Sequence, residues 1–210
     1  MTRASVADAI NYGNGVTARQ LGAMCHLHRP RDASPPISAT TLLMQLPAHF
    51  EPLRQHGSSY GHPLYTGLFD AGYTRPGDYL RGAGVTWFIA SQAPLLQVLC
   101  VRATRTVNLV RTASPRSVGL SGYGGLVRAA TDPVLTGWPV SLLAGGSGLD
   151  RAGLPGDAGS SGWSVLLPAS GRTLIRGGDL LTDDLGRAGV VASAELSELG
   201  WRLDVRQAAT

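Results

Sequence analysis

The chain has 210 residues, including 28 glycines and 13 prolines; only 15% of its side chains are charged, and its formal net charge is +4. All 18 basic residues are arginine, which excludes lysine-based phosphate loops, Schiff bases and Ser-x-x-Lys nucleophiles. The arginines are scattered, which argues against a sequence-specific nucleic-acid reader but allows non-specific contact with DNA. There is no N-terminal apolar segment and no run of about 18 apolar residues, so we expect neither a signal peptide nor a membrane span.

Residues 1–39 predict a short helical segment followed by a linker. Ser5–Ile10 favours a helix, because Ser5 is a good N-cap and Asp8 follows three residues later. The glycines of "NYGNG" are expected to end this helix, and Thr17 caps a second helical turn. The stretch "HRPRDASPPIS" is rich in proline and serine, which is typical of a linker.

Residues 40–112 predict a first β unit. The segments "TTLLMQLPAHF", Leu64–Phe69 and "VTWFIAS" are short and apolar, and they contain β-branched or aromatic residues. "GDYLRG" predicts a strand that runs into a turn, and "LLQVLCVRATRTVNLVR" alternates between apolar and polar positions toward its end.

Residues 113–162 predict a long Gly-rich connecting arm, and residues 163–210 predict a second β unit. Within the arm only "LTGWPVSLLAG" favours a strand. The second unit contains "WSVLLP", a hairpin edge in "TLIRGGDLLTDD", and strands in "RAGVVASAEL" and "GWRLDVRQA".

The two β units repeat one pattern. The stretch from Arg75 to Arg102 and the stretch from Ile175 to Arg206 both contain Gly-Asp, a hydrophobic pair, a Gly-rich turn and a strand ending in Ala-Ser. The repeat aligns Asp78 with Asp179, Ser91 with Ser193, and Val101-Arg102 with Val205-Arg206. Gly-Asp turns also recur by chance in proteins rich in hairpins, but the common order favours a duplication. We therefore expect a mainly β protein, with two small related β-barrel or β-sandwich units, a short helical N-terminal segment and long Gly-rich connections.

The sequence shows no constellation of residues that carries chemistry. Cys25 and Cys100 lie in apolar surroundings and are expected to be reduced, buried thiols. "CHLH" lacks a second pair of ligands at zinc-site spacing, and His49, His56 and His62 are scattered. The run "GLSGYGG" lacks the spacing and the lysine of a phosphate loop, and the adjacent Asp183 and Asp184 make a poor acid–base pair. We expect no catalytic, cofactor-binding or metal-binding residues and no enzymatic activity.

The four tryptophans lie in predicted strands, so core packing is expected for Trp87, Trp138, Trp163 and Trp201. Tryptophan and arginine are also enriched at protein interfaces. The candidate interface residues are therefore Trp87, Arg102, Trp201 and Arg206.

Several blocks resemble a family of virion structural proteins of tailed bacteriophages of the short-tailed type. They are "YGNGVTARQLGAMCHLHRP", the central block from "YTGLFDAGYTRPGDYL" to "RTVNLVR", "TGWPVSLL", "WSVLLP" and "GGDLLTDDLGRAGVVASAELSELGWRLDVRQ". The second repeat is similar to head–tail joining or tail adaptor proteins, which are small β-barrels with arms that assemble in rings under the portal. The resemblance implies a location in the virion tail or neck after assembly in the host cytoplasm.

The resemblance implies a homo-oligomeric ring whose partners are portal, tail-nozzle or tail-fibre proteins, with non-specific contact with packaged DNA. It supplies no catalytic residues. One alternative is a ligand- or protein-binding β module outside the virion, with tryptophans lining a groove. A further alternative is an enzyme that assembles His56 or His62 with Asp70 or Asp78.

Overall fold

A computed structural model describes residues 3–53, 63–112, 131–144, 162–169 and 174–207. The described residues form one α-helix, a short 3-10 turn after the third strand, and twelve strands. The elements are α1 (Arg3–Leu21), β1 (Ala23–His28), β2 (Leu42–Pro52), β3 (Leu64–Leu68), β4 (Tyr79–Gly82), β5 (Val85–Ser91), β6 (Val98–Ala103), β7 (Arg105–Thr112), β8 (Thr131–Ala144), β9 (Gly162–Leu167), β10 (Leu180–Asp183), β11 (Ala188–Ser197) and β12 (Gly200–Gln207).

The strands form two closed six-stranded barrels with the same topology. The first has the order β1-β2-β3-β6-β5-β4, and the second has the order β7-β8-β9-β12-β11-β10. Adding six to each strand number of the first barrel gives the second, and the pairings are antiparallel in both. The structure therefore confirms a mainly β protein with two small related barrels and an N-terminal helix.

The helix α1 is longer than the sequence predicts, because it runs through "NYGNG" without a break. Thr17 does not cap a new turn; its hydroxyl donates to the carbonyl oxygen of Gly13 within the helix, at 3.0 Å. Gly15 is buried, and a Cβ placed there would lie 3.1 Å from the Cβ of Asp70. Close packing on the first barrel thus outweighs the weak helix propensity of glycine.

The barrels do not begin and end where composition predicts. The strand β1 lies within the predicted N-terminal segment, although it belongs to the first barrel. The strand β7 lies in the predicted first unit but pairs with β8 and β10 of the second barrel. The strand β8 lies in the predicted arm, and of the arm's other residues only Gly162, which begins β9, falls within the described ranges. The boundary between the barrels therefore falls at Thr104.

The interior of the first barrel contains both cysteines, which are free and buried as predicted. A second hydrophobic cluster fills the second barrel, and it buries Trp138, Trp163 and Trp201, which confirms their predicted core positions. Trp87 is half-buried against the first barrel's core. The second cluster also includes residues on the outside of the first barrel. A continuous core therefore joins the two barrels.

The strand register confirms two of the three predicted repeat equivalences and corrects the third. The Gly77 N–H donates to the Ile89 carbonyl and the Gly178 N–H donates to the Val191 carbonyl, each at 2.8 Å, so Asp78 matches Asp179. A bulge follows in both barrels, before Ser91 and before Ser193. The alignment of Val101-Arg102 with Val205-Arg206 is wrong by one residue. Ile89 pairs with Cys100 and Val191 pairs with Val205, so the equivalent of Arg206 is Val101.

Candidate assembly surfaces

Each barrel holds a buried aspartate in the same arginine clamp. In the first barrel, Arg29 donates from Nε to Oδ1 of Asp78 at 2.9 Å and from Nη2 to Oδ2 at 2.7 Å. In the second, Arg111 makes the same two bonds to Asp179 at 2.7 and 2.8 Å. The hydrogen bond to the aspartate raises the pKa of each arginine, so the guanidinium stays charged.

The clamp also fixes the turn in front of the aspartate. The backbone N–H of Arg75 donates to Oδ2 of Asp78 at 3.1 Å, and that of Arg176 donates to Oδ2 of Asp179 at 2.9 Å. The residue before each aspartate is a glycine with φ near +90° (92° at Gly77), which a residue with a Cβ rarely adopts. The buried carboxylates therefore serve the fold in both repeats.

The outer face of β4, β5 and β6 attaches the first barrel to the second, and we call Tyr79, Phe88 and Val101 the docking face. Tyr79 is fully buried and donates its hydroxyl to the carbonyl oxygen of Pro139 in β8 at 2.8 Å. Its ring meets the edge of Trp138 with 6.1 Å between centroids. Burial raises the pKa of Tyr79 well above its ordinary value, so the hydroxyl remains a donor.

The equivalent residues of the second barrel are exposed, and we call them the free face. Register places Leu180 at the position of Tyr79, Val190 at that of Phe88 and Arg206 at that of Val101. Leu180 is 37% exposed and Val190 is 36% exposed, whereas Tyr79 and Phe88 are fully buried. One face of the same unit is thus covered in the first repeat and uncovered in the second.

On the second barrel, the outer surface of β8 is covered by the first barrel. On the first barrel, the equivalent surface of β2 is covered by the helix α1. The N–H of Thr104, just before β7, donates to the Val140 carbonyl in β8. At the equivalent point before β1, Gly22 packs so closely on the Ala48 carbonyl in β2 that a Cβ would lie 2.4 Å from its oxygen. The helix packs on β2 and β3, as the first barrel packs on β8.

The helix points small residues at the barrel and larger apolar residues outward. Gly15 and Ala18 are buried on the barrel side. Val6, Ile10 and Leu21 are 36%, 41% and 62% exposed, and we call these three residues the helix outer face. A contiguous group of exposed apolar side chains marks a contact surface, whereas single exposed apolar residues are common on any protein.

Two concave surfaces lie where the barrels meet. One is a groove of about 520 Å³ that contains Arg81, Arg102 and Arg105; the Nη1 of Arg105 is 4.0 Å from Oδ1 of Asp184. The other is an apolar cleft of about 260 Å³, lined by residues of both barrels such as Leu99. The groove offers positive charge, and the cleft offers apolar surface.

The four predicted interface residues lie in different places. Trp87 stacks on Phe50 with 4.0 Å between ring centroids and pairs across the strands with Arg102, which lines the groove. Trp201 is 5% exposed and lines the cleft between the barrels, and Arg206 lies on the free face. The sequence did not reveal Leu180, Val190 or the helix outer face, because whether these apolar side chains are covered depends on how the helix and the barrels pack.

The structure separates the members of "CHLH". Cys25 points into the barrel, exposed His26 bonds to Gln45 at 2.7 Å, and buried His28 lies 3.2 Å from the Thr41 hydroxyl. Desolvation lowers the pKa of His28. Within the described ranges no three His, Cys, Asp or Glu side chains converge as metal ligands, and no helix there is long and apolar enough to cross a membrane. His56, His62 and "GLSGYGG" lie outside the described residues.

Comparison of the chain with protein-family models, with curated proteins and with solved structures returned no match.

Proposed function

We propose that this chain is a non-enzymatic structural protein of a bacteriophage virion, placed in the tail or at the head-to-tail junction as a connector, adaptor or fibre-attachment subunit. One observation carries the proposal. The same barrel unit occurs twice and is joined through two unlike faces, which leaves the free face at one end and the helix outer face at the other. A subunit with two different faces suits a closed ring, because cyclic rings are built from heterologous contacts.

The sequence resemblance supports the virion location, and the two barrels accord with the small barrels of head–tail joining proteins. In this proposal copies of the chain assemble in the host cytoplasm and meet portal, nozzle or fibre proteins. Exposed Arg81 and Arg102 in the groove give the chain a surface for non-specific contact with packaged DNA.

Immunogold electron microscopy of purified phage particles, with antibody against this chain, tests the proposal. Gold at the neck or tail is the expected result. Particles without label, together with protein that remains in the soluble fraction of infected cells, would contradict it. Preimmune serum and particles treated to expose the neck provide the controls.

A second candidate is a ligand- or protein-binding β module outside the virion, and the arginine groove is the observation that favours it. Its occupant would be anionic, because the described lining contains three arginines and one aspartate. Titration with an acidic peptide tests this idea. Arg81→Ala with Arg102→Ala should abolish binding, and Arg19→Ala, on the exposed side of α1, should not.

A further inference from the structure

We infer that the first barrel binds one soft, singly charged metal ion, copper(I), between the side chains of Met24, His26 and His28. These three residues alternate along the outer side of β1, whereas Cys25 and Leu27 between them point into the barrel. All three line one cavity of about 590 Å³ beside the β4–β5 hairpin. Met24 supplies the third ligand that "CHLH" lacks.

The second barrel shows that closing a barrel does not require these side chains. Register along β1 and β7 gives their equivalents in the second barrel, which are Thr106, Asn108 and Val110. None of these equivalents has a thioether or an imidazole. The barrel fold therefore does not explain why two histidines and a methionine share one face of β1.

The hydrogen bonds of the two histidines leave a lone pair on Nε2 of each ring. The Thr41 hydroxyl donates to the Ser38 carbonyl oxygen at 3.0 Å, so it accepts from Nδ1 of His28, 3.2 Å away. Nε2 of His28 then has no hydrogen-bond partner among the described residues. The side-chain amide of Gln45 donates to Nε2 of His26 at 2.7 Å, which places the lone pair of that ring on Nε2 as well. Both rings therefore have the tautomer that binds a metal through Nε2, and Thr41 holds the other nitrogen of His28, as outer partners of metal ligands do.

The separation of the two rings is close to the distance that one shared metal ion sets. Their centroids are 6.5 Å apart, and their planes are 80° apart. A metal ion midway between two imidazole nitrogens, with metal–nitrogen bonds of 2.0–2.1 Å, separates the ring centroids by roughly 6 Å. His28 is 7% exposed and fixed in the cavity wall, whereas His26 is exposed and free to adjust. Met24 is 58% exposed, and its flexible, unbranched side chain adapts readily to a ligand position.

The ligand types and the surrounding charge favour copper(I) over other ions. Thioether and imidazole groups bind copper(I), whereas magnesium and calcium require oxygen ligands. The described lining of the cavity contains no carboxylate, and it includes Arg81, which lies opposite His26 on β4. A guanidinium repels a divalent cation more strongly than a monovalent one. Three uncharged ligands beside an arginine therefore suit a singly charged, soft ion.

Titration of the purified protein with copper(I), without oxygen and in competition with a coloured copper(I) chelator, tests the inference. Wild-type protein should take one ion per chain, and zinc(II) should bind at least about 10-fold more weakly. Met24→Leu and His26→Asn alter exposed residues, so the fold should survive, and each should weaken copper(I) binding by more than about 10-fold. Met44→Leu and His49→Asn, on β2 of the same barrel, are the matched controls and should bind as the wild type does. Melting followed by circular dichroism checks that every variant folds.

Nitrogen NMR with silver(I), which has the same charge and keeps its oxidation state, identifies the ligands. One equivalent should shift the Nε2 signals of His26 and His28 and leave those of His49 unchanged. The barrel interior also holds two soft thiols, so the titration is repeated on the variant with Cys25→Ala and Cys100→Ala. Binding retained in this variant supports the inference, and binding lost from the folded variant would assign the ion to the thiols and overturn it.

Three further results would overturn the inference: no copper(I) uptake by the wild type, binding that Met24→Leu and His26→Asn leave unchanged, or tighter binding of zinc(II) than of copper(I). The inference does not depend on the proposed function, because the titrations need only the purified chain. Unlabelled particles would therefore remove the virion proposal and leave the metal site standing, and a failed titration would do the opposite.

Discussion

The two barrels have the same topology, but the same outer face is buried in the first barrel and exposed in the second. Tyr79, Phe88 and Val101 are buried between the barrels, whereas Leu180, Val190 and Arg206 stand at the same positions and are exposed. The strand order and the arginine clamps are the same in the two repeats. The outer face changed according to whether the chain itself covers it.

The largest expected effect comes from exchanging residues between these faces. Val101→Arg gives the first barrel the residue of the second and places an unpaired charge between the barrels, so unfolding free energy should fall by about 3–4 kcal/mol. The reverse change, Arg206→Val, should alter it by less than about 0.5 kcal/mol because Arg206 is exposed. Urea unfolding at one fixed protein concentration measures both. Similar losses for the two changes would show that the faces are equivalent in burial after all.

Removing the clamped carboxylates tests what the barrels share. Asp78→Ala and Asp179→Ala should each lower unfolding free energy by about 3 kcal/mol, because each leaves a guanidinium and a backbone N–H without their acceptor. Asp184→Ala is the control. It removes an exposed ion pair with Arg105, whose charged atoms are 4.0 Å apart, and should lower the unfolding free energy by less than about 0.5 kcal/mol. A large loss in one barrel and none in the other would contradict the shared role.

Acid should affect the second barrel through a carboxylate that the first lacks. Burial raises the pKa of Asp183, but hydrogen bonds from Arg187 and from the Leu185 backbone outweigh it, and the pKa is lowered overall. Register places Gly82 at this position in the first barrel. A lowered folded-state pKa adds stability above the ordinary value near 4, and this stability is lost as pH falls through the lowered pKa.

Asp183→Ala should therefore cost about 2 kcal/mol at neutral pH and progressively less below about pH 4. Chemical unfolding of the wild type and the variant across this range measures the difference. A difference in unfolding free energy that grows on acidification would contradict this prediction.

The smallest effect concerns the turn of the first barrel's β4–β5 hairpin. Ala83 has φ of 49°, a conformation that asparagine tolerates better than alanine, so Ala83→Asn should raise unfolding free energy by about 0.5 kcal/mol. Gly186, in the corresponding turn of the second barrel, has φ of 78°, and Gly186→Ala should lower it by about 1 kcal/mol. Thermal melts resolve both changes, and a destabilising Ala83→Asn would contradict this view of the turn.

Local patterns predicted the strands that contain unbroken apolar segments, but they failed where contacts between distant parts of the chain determine the secondary structure. The prediction for "VTWFIAS" matches β5 from Val85 to Ser91, because a short β-branched and aromatic run has few alternatives. The N-terminal helix was predicted, but its continuation through "NYGNG" was missed because Gly15 packs against Asp70, a contact that no local pattern contains. The strand β1 was missed because its exposed side includes His26 and Met24 in a short segment.

The sequence indicated the aspartate of each arginine clamp but not the arginine. Gly-Asp revealed both aspartates, but Arg29 lies 49 residues before Asp78 and Arg111 lies 68 residues before Asp179, so no constant spacing links the arginines. The free face was not predictable, because valine and leucine occur on covered and uncovered faces alike. Only the three-dimensional register shows which positions correspond.

Cross-linking tests most directly the proposal that copies of the chain meet through two unlike faces, the free face of one copy and the helix outer face of the next. Val190→Cys and Ile10→Cys are introduced separately and together, and the protein is treated with a short, flexible bis-maleimide; native Cys25 and Cys100 are buried and should not react. The account predicts a ladder of covalent multimers for the double variant and no cross-link for either single variant. Covalent dimers from Val190→Cys alone would show that two free faces meet each other, and they would contradict the head-to-tail arrangement.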